Sequence, residues 1–258
     1  MCSMRSKILC IQFRKSEKLK NREQVSIQRE TKSHSEVDFI SILESDIDWS
    51  NPKVVLGDYD GLILGGSGDF DFDGNREEND PARLMSYEFL KELAPLFEYI
   101  FEQDVPTLGI CYGHQLLGAF AGANVLYDEA QKKTKSHEVR FVVDKQEHFL
   151  FANLPESFSA NYGHKDCLDR VPEGAVLIMN GGDQCKVSVL KYKNNIYTTQ
   201  FHPELNFEDM IIRAKDSIGY LPEGDLGKDI FKDEPHANTI LQNFSKFVAN
   251  RARSKESV

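Results

Sequence analysis

Short apolar runs alternate with longer helix-like segments in the first half of the chain. The apolar, partly β-branched runs KILCIQF, VDFISIL, YDGLILGG and VPTLGIC cover residues 7–13, 37–43, 59–66 and 105–111. A segment from Pro81 to about Gln103 has the length and apolar spacing of one long helix, and a further helix is predicted after residue 111. Strands that alternate with helices in this way are typical of a parallel α/β sheet.

The pattern changes after Gln131, where strand-like runs follow one another without helices between them. These runs cover residues 137–143, 157–163, 175–182, 185–192 and 195–201. The turn-like KNN of residues 193–195 joins the last two, so this half predicts antiparallel structure attached to the same sheet. Two helices are expected near the end, over residues 206–218 and 236–252, with a loop rich in Gly, Pro and acidic residues over residues 219–235.

The composition is that of a globular protein with one main core. The chain has 258 residues, of which 40% are hydrophobic, and its apolar runs are far shorter than the roughly 18 to 20 residues of a membrane span. We interpret the N-terminal apolar run as a first strand and not as a secretory segment, so a cytoplasmic location and no membrane partner are expected. The polar segment over residues 15–35 is expected to be a solvated helix or surface loop.

The net charge and the cysteine content argue against two further classes of protein, nucleic-acid-binding proteins and small disulfide-rich secreted domains. The net charge is −10, so the basic field on which nucleic-acid binding depends is missing, and no nucleic-acid partner is expected. The five cysteines are odd in number and widely spaced in a fairly large chain. This spacing does not resemble the disulfide framework of a small secreted domain, and reduced thiols are therefore expected.

Residues 109–115 read GICYGHQ, and they lie where an apolar strand should give way to a helix. A nucleophile elbow needs a sharp strand-to-helix reversal, with small residues two positions before and two positions after the nucleophile. Gly109 and Gly113 meet that need around Cys111. The N-terminus of the following helix would favour a thiolate at this position. The alternative is a structural cysteine buried beside a tight helix–strand contact.

A thiol nucleophile needs a base within hydrogen-bond reach and a third group that fixes the tautomer of the base. His202, in YTTQFHPE, follows an apolar strand, where α/β folds present catalytic loops. Glu204 lies two residues further on and can reach the imidazole Nδ1. The alternative is a histidine that caps the strand end. His114 is expected to pack or cap, and the CYGH spacing lacks a second ligand pair, so no metal site is expected.

The oxyanion of an acyl-transfer reaction needs two N–H donors. One should be the backbone N–H of Tyr112, and the other should come from the glycine-rich loop within GLILGGSGD, residues 61–69. The alternative for this loop is a plain connection between a strand and a helix. A phosphate cradle is excluded, because the G-x-x-x-x-G-K-[ST] pattern is absent and Asp69, Asp71 and Asp73 would repel an anion.

The order GGSG, GICYGHQ, YGHKD and QFHPE resembles the class I (triad) glutamine amidotransferase domain, over about residues 55–215. The resemblance implies that Cys111, His202 and Glu204 form a triad that attacks the side-chain amide of glutamine. It also implies a mostly parallel central sheet flanked by helices, a flavodoxin-like three-layer sandwich with an added antiparallel β portion. The whole chain, residues 1–258, would form a single domain, with residues 216–258 as its C-terminal loop and helix.

The resemblance extends to the residues that would surround the substrate. Gln115, four residues after the nucleophile, would help to hold the α-amino and carboxylate groups of the substrate. His164 and Asp166, in GHKD, would lie on the loop beside it. No cofactor is expected.

The glycine-rich loop departs from the family in one position. The family usually has a proline where this chain has Gly68, which leaves open whether Gly66 or Ser67 offers the second oxyanion N–H. The chain also shows no ATP site and no acceptor pocket in a second domain. It therefore looks like a stand-alone member, for which a separate synthase subunit would be the partner.

Three functions remain open at this point. The first is a glutaminase that releases ammonia for a separate synthase. The second is a γ-glutamyl peptidase or hydrolase that releases a larger amine from a γ-glutamyl conjugate. The third is a catalytically silent binding module, against which the intact set of candidate triad residues argues.

Overall fold

The structure is a computed structural model that describes residues 5–44, 46–151, 153–216 and 230–256. Its strands are β1 (Ser6–Gln12), β2 (Ser35–Ser41), β3 (Gly61–Leu64), β4 (Thr107–Ile110), β5 (Val125–Tyr127), β6 (Lys133–Phe141), β7 (Ser157–His164), β8 (Asp166–Leu168), β9 (Val176–Asn180), β10 (Val189–Lys191) and β11 (Ile196–Thr199). Its helices are α1 (Glu17–Thr31), α2 (Pro52–Val55), α3 (Pro81–Glu92), α4 (Ala94–Gln103), α5 (Tyr112–Phe120), α6 (Phe207–Asp216) and α7 (His236–Glu256). Short 3-10 turns lie at residues 145–147, 149–151 and 182–184.

A mixed nine-stranded sheet with the order β2-β1-β3-β4-β11-β10-β9-β6-β7 forms the centre of the molecule. The strands from β2 to β11 pair in parallel. From β11 onward, β10, β9, β6 and β7 pair antiparallel. The predicted fold class, a mostly parallel sheet with an added antiparallel portion, is confirmed. The turn at residues 193–195 joins β10 and β11 as predicted.

Helices cover both faces of the parallel half, which gives the predicted three layers. Ile8 and Cys10 of β1 pack into one buried cluster, whereas Leu9 and Ile11 pack into the other. Because successive side chains of a strand point to opposite faces, this division shows that both faces are covered. Helices α1 and α7 pack together on one side, and α3, α4 and α5 pack on the other.

The prediction of one helix from Pro81 to about Gln103 is wrong in one respect, because the segment forms two helices. Helix α3 ends at Glu92 and α4 begins at Ala94, with Leu93 between them. Pro95 lies in the first turn of α4. A proline has no N–H to donate and its ring disfavours a preceding helical turn, so the segment divides here.

The expectation for residues 15–35 is wrong for one face of the helix that forms there. Helix α1 buries Lys20, Glu23, Ser26, Ile27, Glu30 and Thr31. These positions recur at helical spacing, but most of them are polar, and polarity is what led to the expectation of a solvated segment. The charged groups are tolerated inside because they are paired, as described below.

Strands β5 and β8 form a separate antiparallel pair that the sequence pattern did not indicate. Most of the loop predicted over residues 219–235 lies outside the described residues, which resume at residue 230. In the part of the chain that the structure covers, no helix is both long enough and apolar enough to span a bilayer.

Candidate active site

Three adjacent parallel strands bring the candidate catalytic segments to one edge of the sheet. Strand β4 pairs in parallel with β3 on one side and with β11 on the other. The residues that follow these strands are the glycine-rich loop at 65–68, the elbow at residue 111 and the HPE segment at 202–204. Carboxyl ends of parallel strands meet at the same edge, so segments far apart in sequence converge there.

The elbow has the backbone conformation that the sequence predicts. Cys111 has φ 51° and ψ −93°, a strained left-handed geometry for a residue with a Cβ. A Cβ at Gly113 would lie 2.3 Å from the carbonyl oxygen of Leu64, and one at Gly109 would lie 2.8 Å from the carbonyl oxygen of Gly113. Only glycine fits at either position, because the turn brings helix α5 directly against β3 and β4.

His202 and Glu204 form a buried pair. The imidazole Nδ1 lies 2.7 Å from Oε1 of Glu204, and both side chains are buried. The N–H of His202 donates to the carbonyl oxygen of Asn161 at 2.9 Å, and Asn238 Nδ2 donates to the carbonyl oxygen of Pro203 at 2.9 Å. The turn is therefore fixed from both sides, and Nδ1 is engaged while Nε2 remains for the nucleophile.

Cys111 and His202 approach each other near two glycines. The Cys111 side chain is close enough to His202 to raise the pKa of its imidazole. The Sγ of Cys111 lies 3.7 Å from the carbonyl oxygen of Gly163, and a Cβ at Gly163 would lie 3.8 Å from Nε2 of His202. A Cβ at Gly66 would lie 3.1 Å from Cε1 of His202 and 3.7 Å from Cβ of Cys111. The Cys111 sulfur and the His202 imidazole therefore both lie close to Gly66 and Gly163.

The electrostatics of this group favour a charged histidine. Burial alone would lower the pKa of His202, but the Glu204 carboxylate, followed by Cys111, raises it to about 9. Burial alone would raise the pKa of Glu204, but the His202 imidazolium lowers it to about 2. A buried imidazolium is a group that stabilises negative charge on a neighbouring sulfur atom.

The glycine-rich loop offers N–H groups to the same space, and one of its two candidate donors is already engaged. The N–H of Gly66 donates to Oε1 of Glu23, at 3.3 Å. The N–H groups of Ser67 and Tyr112 have no hydrogen-bond acceptor among the described residues. Ser67 Oγ accepts from the N–H groups of Asp69 and Phe70, at 3.0 and 3.1 Å. This favours Ser67 over Gly66 as the second donor.

The residues expected around the substrate converge on one backbone oxygen. Gln115 Nε2 donates to the carbonyl oxygen of Asp166 at 2.8 Å, and Nδ1 of His164 lies 3.0 Å from the same atom. Burial lowers the pKa of His164 to about 3, so its ring is neutral. Its Nε2 has no hydrogen-bond partner in the described part of the chain, so it is left as an acceptor facing inward.

The carboxylate of Asp166 binds the loop of residues 69–74, which we call the acidic loop. It accepts the N–H groups of Asp73 and Gly74, at 2.9 and 2.6 Å. The side chain does not line the cavity in front of Cys111, whereas Asp69 and Asp71 do. Within the described residues, carboxylates for a substrate ammonium therefore come from the acidic loop.

The cavity in front of Cys111 has a volume of about 240 Å³. Gln115, His164 and His202 line it, and so do Arg14, Arg22, Lys165 and Arg213. Sequence reasoning missed the three arginines because no motif surrounds them. Within the described part of the chain, no group of three or more His, Cys, Asp or Glu residues is placed to bind a metal.

Behind the cavity, Arg14 and Glu23 form a buried ion pair. Arg14 Nε donates to Glu23 Oε1 at 3.0 Å, and Gln12 Nε2 donates to Glu23 Oε2 at 2.9 Å. Both charged side chains are almost fully buried, with exposed fractions of 4% and 1%. Burial would lower the pKa of Arg14, but the Glu23 carboxylate raises it above its usual value, so the guanidinium stays charged.

Gln200 also contacts the nucleophile. Its Nε2 lies 3.8 Å from Sγ of Cys111, and its Oε1 is buried without a hydrogen-bond partner among the described residues. The residue comes directly before the FHPE segment, so its place in QFHPE could have indicated a role. An amide N–H directed at the sulfur stabilises negative charge on it.

The sequence of this chain matches a known family model and curated proteins. The model for glutamine amidotransferase class-I matches residues 31–210. A protein of Methanocaldococcus jannaschii, named as a subunit of a glutamine-hydrolysing GMP synthase, is 41% identical over 102 residues, which cover 39% of this chain and 52% of that protein. The chain therefore spans about half the length of this relative. The protein of the same name from Archaeoglobus fulgidus is 31% identical over 157 residues, 60% of this chain and 72% of that protein.

The fold is also shared with solved structures. A glutamine amidotransferase from Thermotoga maritima superposes with a TM-score of 0.67 and 20% sequence identity, covering 95% of this chain and 99% of that chain. At this level of identity the similarity shows the fold alone. It agrees with the mixed sheet and flanking helices described above.

Proposed function

Because the chain belongs to the class I glutamine amidotransferase family, we propose that it hydrolyses the γ-amide of glutamine or of a γ-glutamyl compound through a cysteinyl thioester. One observation carries the proposal. Cys111, strained at φ 51°, shares a cavity with His202, whose Nδ1 lies 2.7 Å from Glu204. A nucleophile, a base and a group that orients the base are the components that acyl transfer needs.

In the first half of the reaction, the Cys111 thiolate attacks the γ-carbonyl carbon while its former proton is on His202. A C–S bond forms, and the carbonyl electron pair moves to the oxygen. The resulting oxyanion accepts hydrogen bonds from the N–H groups of Tyr112 and Ser67. When the oxyanion collapses, the C–N bond breaks and His202 gives its proton to the departing amine.

In the second half, water attacks the thioester and His202 takes a proton from it. The C–S bond breaks, glutamate leaves, and the thiolate and imidazolium are restored. Glu204 holds Nδ1 throughout and stabilises the cation, without itself taking the proton. No cofactor takes part in this scheme.

The amine that leaves is ammonia if the substrate is glutamine. The relatives from M. jannaschii and A. fulgidus carry the name of one subunit of a glutamine-hydrolysing GMP synthase. Their names support a separate synthase chain that would accept ammonia from this one. Release of a larger amine from a γ-glutamyl conjugate is the second candidate, favoured by the arginine side chains in the cavity.

Labelling of the purified chain with an electrophilic glutamine analogue tests the proposal. We expect stoichiometric modification of the wild type, loss of labelling and of glutamate release in Cys111→Ala, and no loss in the control Cys167→Ala. Cys167 is a buried free thiol outside the cavity, so it controls for removal of a thiol as such. A wild type that neither labels nor releases glutamate from any γ-glutamyl compound would instead be a silent binding module.

A further inference from the structure

The lining of the cavity in front of Cys111 includes cationic side chains that the proposed hydrolysis does not use. Arg14, Arg22 and Arg213 line the cavity, and we refer to the two that lie near His202 and Glu204, Arg14 and Arg213, as the arginine pair. Leu19, Met210 and Phe231 add apolar surface to the lining. Arg14 has Glu23 and Arg213 has Glu204 as a nearby carboxylate, and the remaining N–H donors of each planar guanidinium suit a further anion.

One guanidinium nitrogen of Arg14 makes no hydrogen bond among the described residues. The exposed fraction of Arg14 is 4%, and its Nη2 lies 2.8 Å from Glu23 Oε1 but makes no hydrogen bond within the described residues. The same Nη2 would lie 3.2 Å from a Cβ at Gly66, the point that His202 Cε1 approaches to 3.1 Å. A buried guanidinium nitrogen that is ion-paired with Glu23 but makes no hydrogen bond among the described residues therefore lies near the imidazole that would protonate the leaving amine.

Arg213 lies close to the same imidazole–carboxylate pair. Its Nη2 is 3.9 Å from Glu204 Oε1, and its side chain is 24% exposed. Loss of solvent, followed by the like charge of Arg14, lowers its pKa. The two arginines act on each other as like charges, and a bound anion would relieve that repulsion.

Other residues that line the cavity suit an ammonium group. Asp71 and the Nε2 of His164, which has no hydrogen-bond partner among the described residues, offer acceptors, and Asp71 Oδ2 lies 2.7 Å from Arg76 Nε and 3.5 Å from Lys165 Nζ. The α-amino and α-carboxylate groups of a γ-glutamyl unit would bind among these residues. Its γ-carbonyl then reaches Cys111, and the leaving amine points toward His202 and the arginine pair. The ammonia released from glutamine has no group that could occupy the arginine pair.

We propose that Arg14 and Arg213 form a carboxylate-binding subsite for the leaving amine, so that the preferred substrate is a γ-glutamyl amino acid or peptide. This inference rests on the proposed function. The carboxylate of the departing amino acid binds between the two guanidinium groups, next to the imidazole that protonates its nitrogen. The hydrolysis itself follows the steps given above, with an amino acid in place of ammonia as the leaving group.

The test compares two substrates of nearly equal size that differ in one charge, γ-glutamylglycine and γ-glutamylglycinamide. We expect kcat/KM for the carboxylate to exceed that for the amide by about 10- to 100-fold, the range expected for hydrogen bonds between charged groups. A ratio near one, together with measurable turnover of either compound, would overturn the subsite and leave the proposed function intact.

Two variants assign the preference to the arginine pair. Arg213→Gln is expected to lower the carboxylate-to-amide ratio at least tenfold, whereas the control Arg83→Gln keeps the wild-type ratio. Arg83 has the same exposed fraction, 24%, and lies outside the cavity lining. Arg14→Lys keeps the buried charge opposite Glu23 but loses the planar fork, and should also reduce the ratio. A preference that both variants retain in full would overturn the assignment.

Binding to the Cys111→Ala variant separates this inference from the proposed chemistry. Calorimetry should show tighter binding of γ-glutamylglycine than of γ-glutamylglycinamide, with the difference removed by adding Arg213→Gln. If the wild type hydrolyses neither compound and does not hydrolyse glutamine, but this binding difference is present, the proposed function fails and the subsite stands. If the wild type hydrolyses both compounds without a binding difference, the subsite fails and the proposed function stands.

Discussion

The two sides of the Cys111 cavity are held in place by different forces. On the side of the parallel strands, the backbone does the positioning: the N–H of Cys111 donates to the carbonyl oxygen of Thr199 at 2.7 Å, and that of His202 donates to Asn161 at 2.9 Å. On the side of α1 and α6, side-chain charges do it. Arg14 pairs there with Glu23, and Arg29 Nη2 lies 2.8 Å from Asp209.

This difference separates the part of the site that must stay constant from the part that can change. Backbone geometry in a sheet edge tolerates almost no adjustment, because each position is fixed by strand pairing and close packing. Ion pairs between side chains can be replaced as pairs, at little cost when both partners change together. The proposed chemistry therefore lies on the rigid side, and the proposed recognition of the leaving amine lies on the adjustable side.

The largest effect on the rigid side is expected from Glu204→Gln. Without the carboxylate the imidazole loses its orienting charge, and kcat/KM should fall by about 10³- to 10⁴-fold, as for a serine triad that loses its acid. The Glu204 carboxylate raises the pKa of His202 to about 9, so the imidazolium is present below that pH and lost above it. In the variant, the alkaline limb of the kcat/KM profile should move to lower pH by about one to three units.

Glu208→Gln is the control for this prediction, since Glu208 lies four residues away on α6 and is exposed. It should keep both the rate and the pH profile. An alkaline limb that stays in place in Glu204→Gln would mean that the carboxylate does not set the charge of the imidazole.

The largest effect on the adjustable side is expected from Glu23→Gln. The change leaves the Arg14 guanidinium buried without its counter-charge, and the free energy of unfolding in urea should fall by about 3 to 5 kcal/mol. Combining it with Arg14→Met should recover most of that loss, because neither charge then remains. Glu44→Gln, at the 60% exposed partner of Lys20, should cost less than about 1 kcal/mol. Additive losses in the double variant would contradict the pairing.

A smaller effect is expected from Gly113→Ala, which tests the rigid side by packing alone. The added Cβ would lie 2.3 Å from the carbonyl oxygen of Leu64 and 2.7 Å from the Cβ of Leu64. The free energy of unfolding should therefore fall by about 3 kcal/mol. Gly68→Ala places a Cβ with no atom within 4 Å, and its free energy of unfolding should change by less than about 0.5 kcal/mol. Equal stability of the two variants would show that the elbow is not tightly packed.

The rigid side could be predicted from the sequence because its signals are local. Gly109, Cys111 and Gly113 lie within five residues, and His202 and Glu204 lie two residues apart. Short sequence motifs therefore specify both the turn at Cys111 and the pairing of His202 with Glu204. Parallel strands then bring the segments together, and the alternation of strands and helices in the first half indicates such a sheet. The backbone conformation of Cys111 is thus a consequence that can be derived without coordinates.

The adjustable side could not be predicted, for physical reasons. Glu23 and Lys20 are residue types that are almost always exposed, so a helix that buries them has a polar pattern. The partner of Glu23 is Arg14, which precedes the helix. The separation of the two residues along the sequence does not predict that they are in contact. Arg213 reaches the cavity only through tertiary packing. The engagement of the Gly66 N–H by Glu23 follows from the same contact and was equally hidden.

Asp166 joins three parts of the site through two different groups. Its carboxylate accepts the N–H groups of Asp73 and Gly74, while its carbonyl oxygen is shared by Gln115 and His164. A displacement of the acidic loop is therefore passed on, through a single residue, to the side chains that would grip the amino-acid end of a ligand. A change in the length of that loop would therefore alter how tightly Gln115 and His164 hold a ligand, even though neither of these residues belongs to the loop.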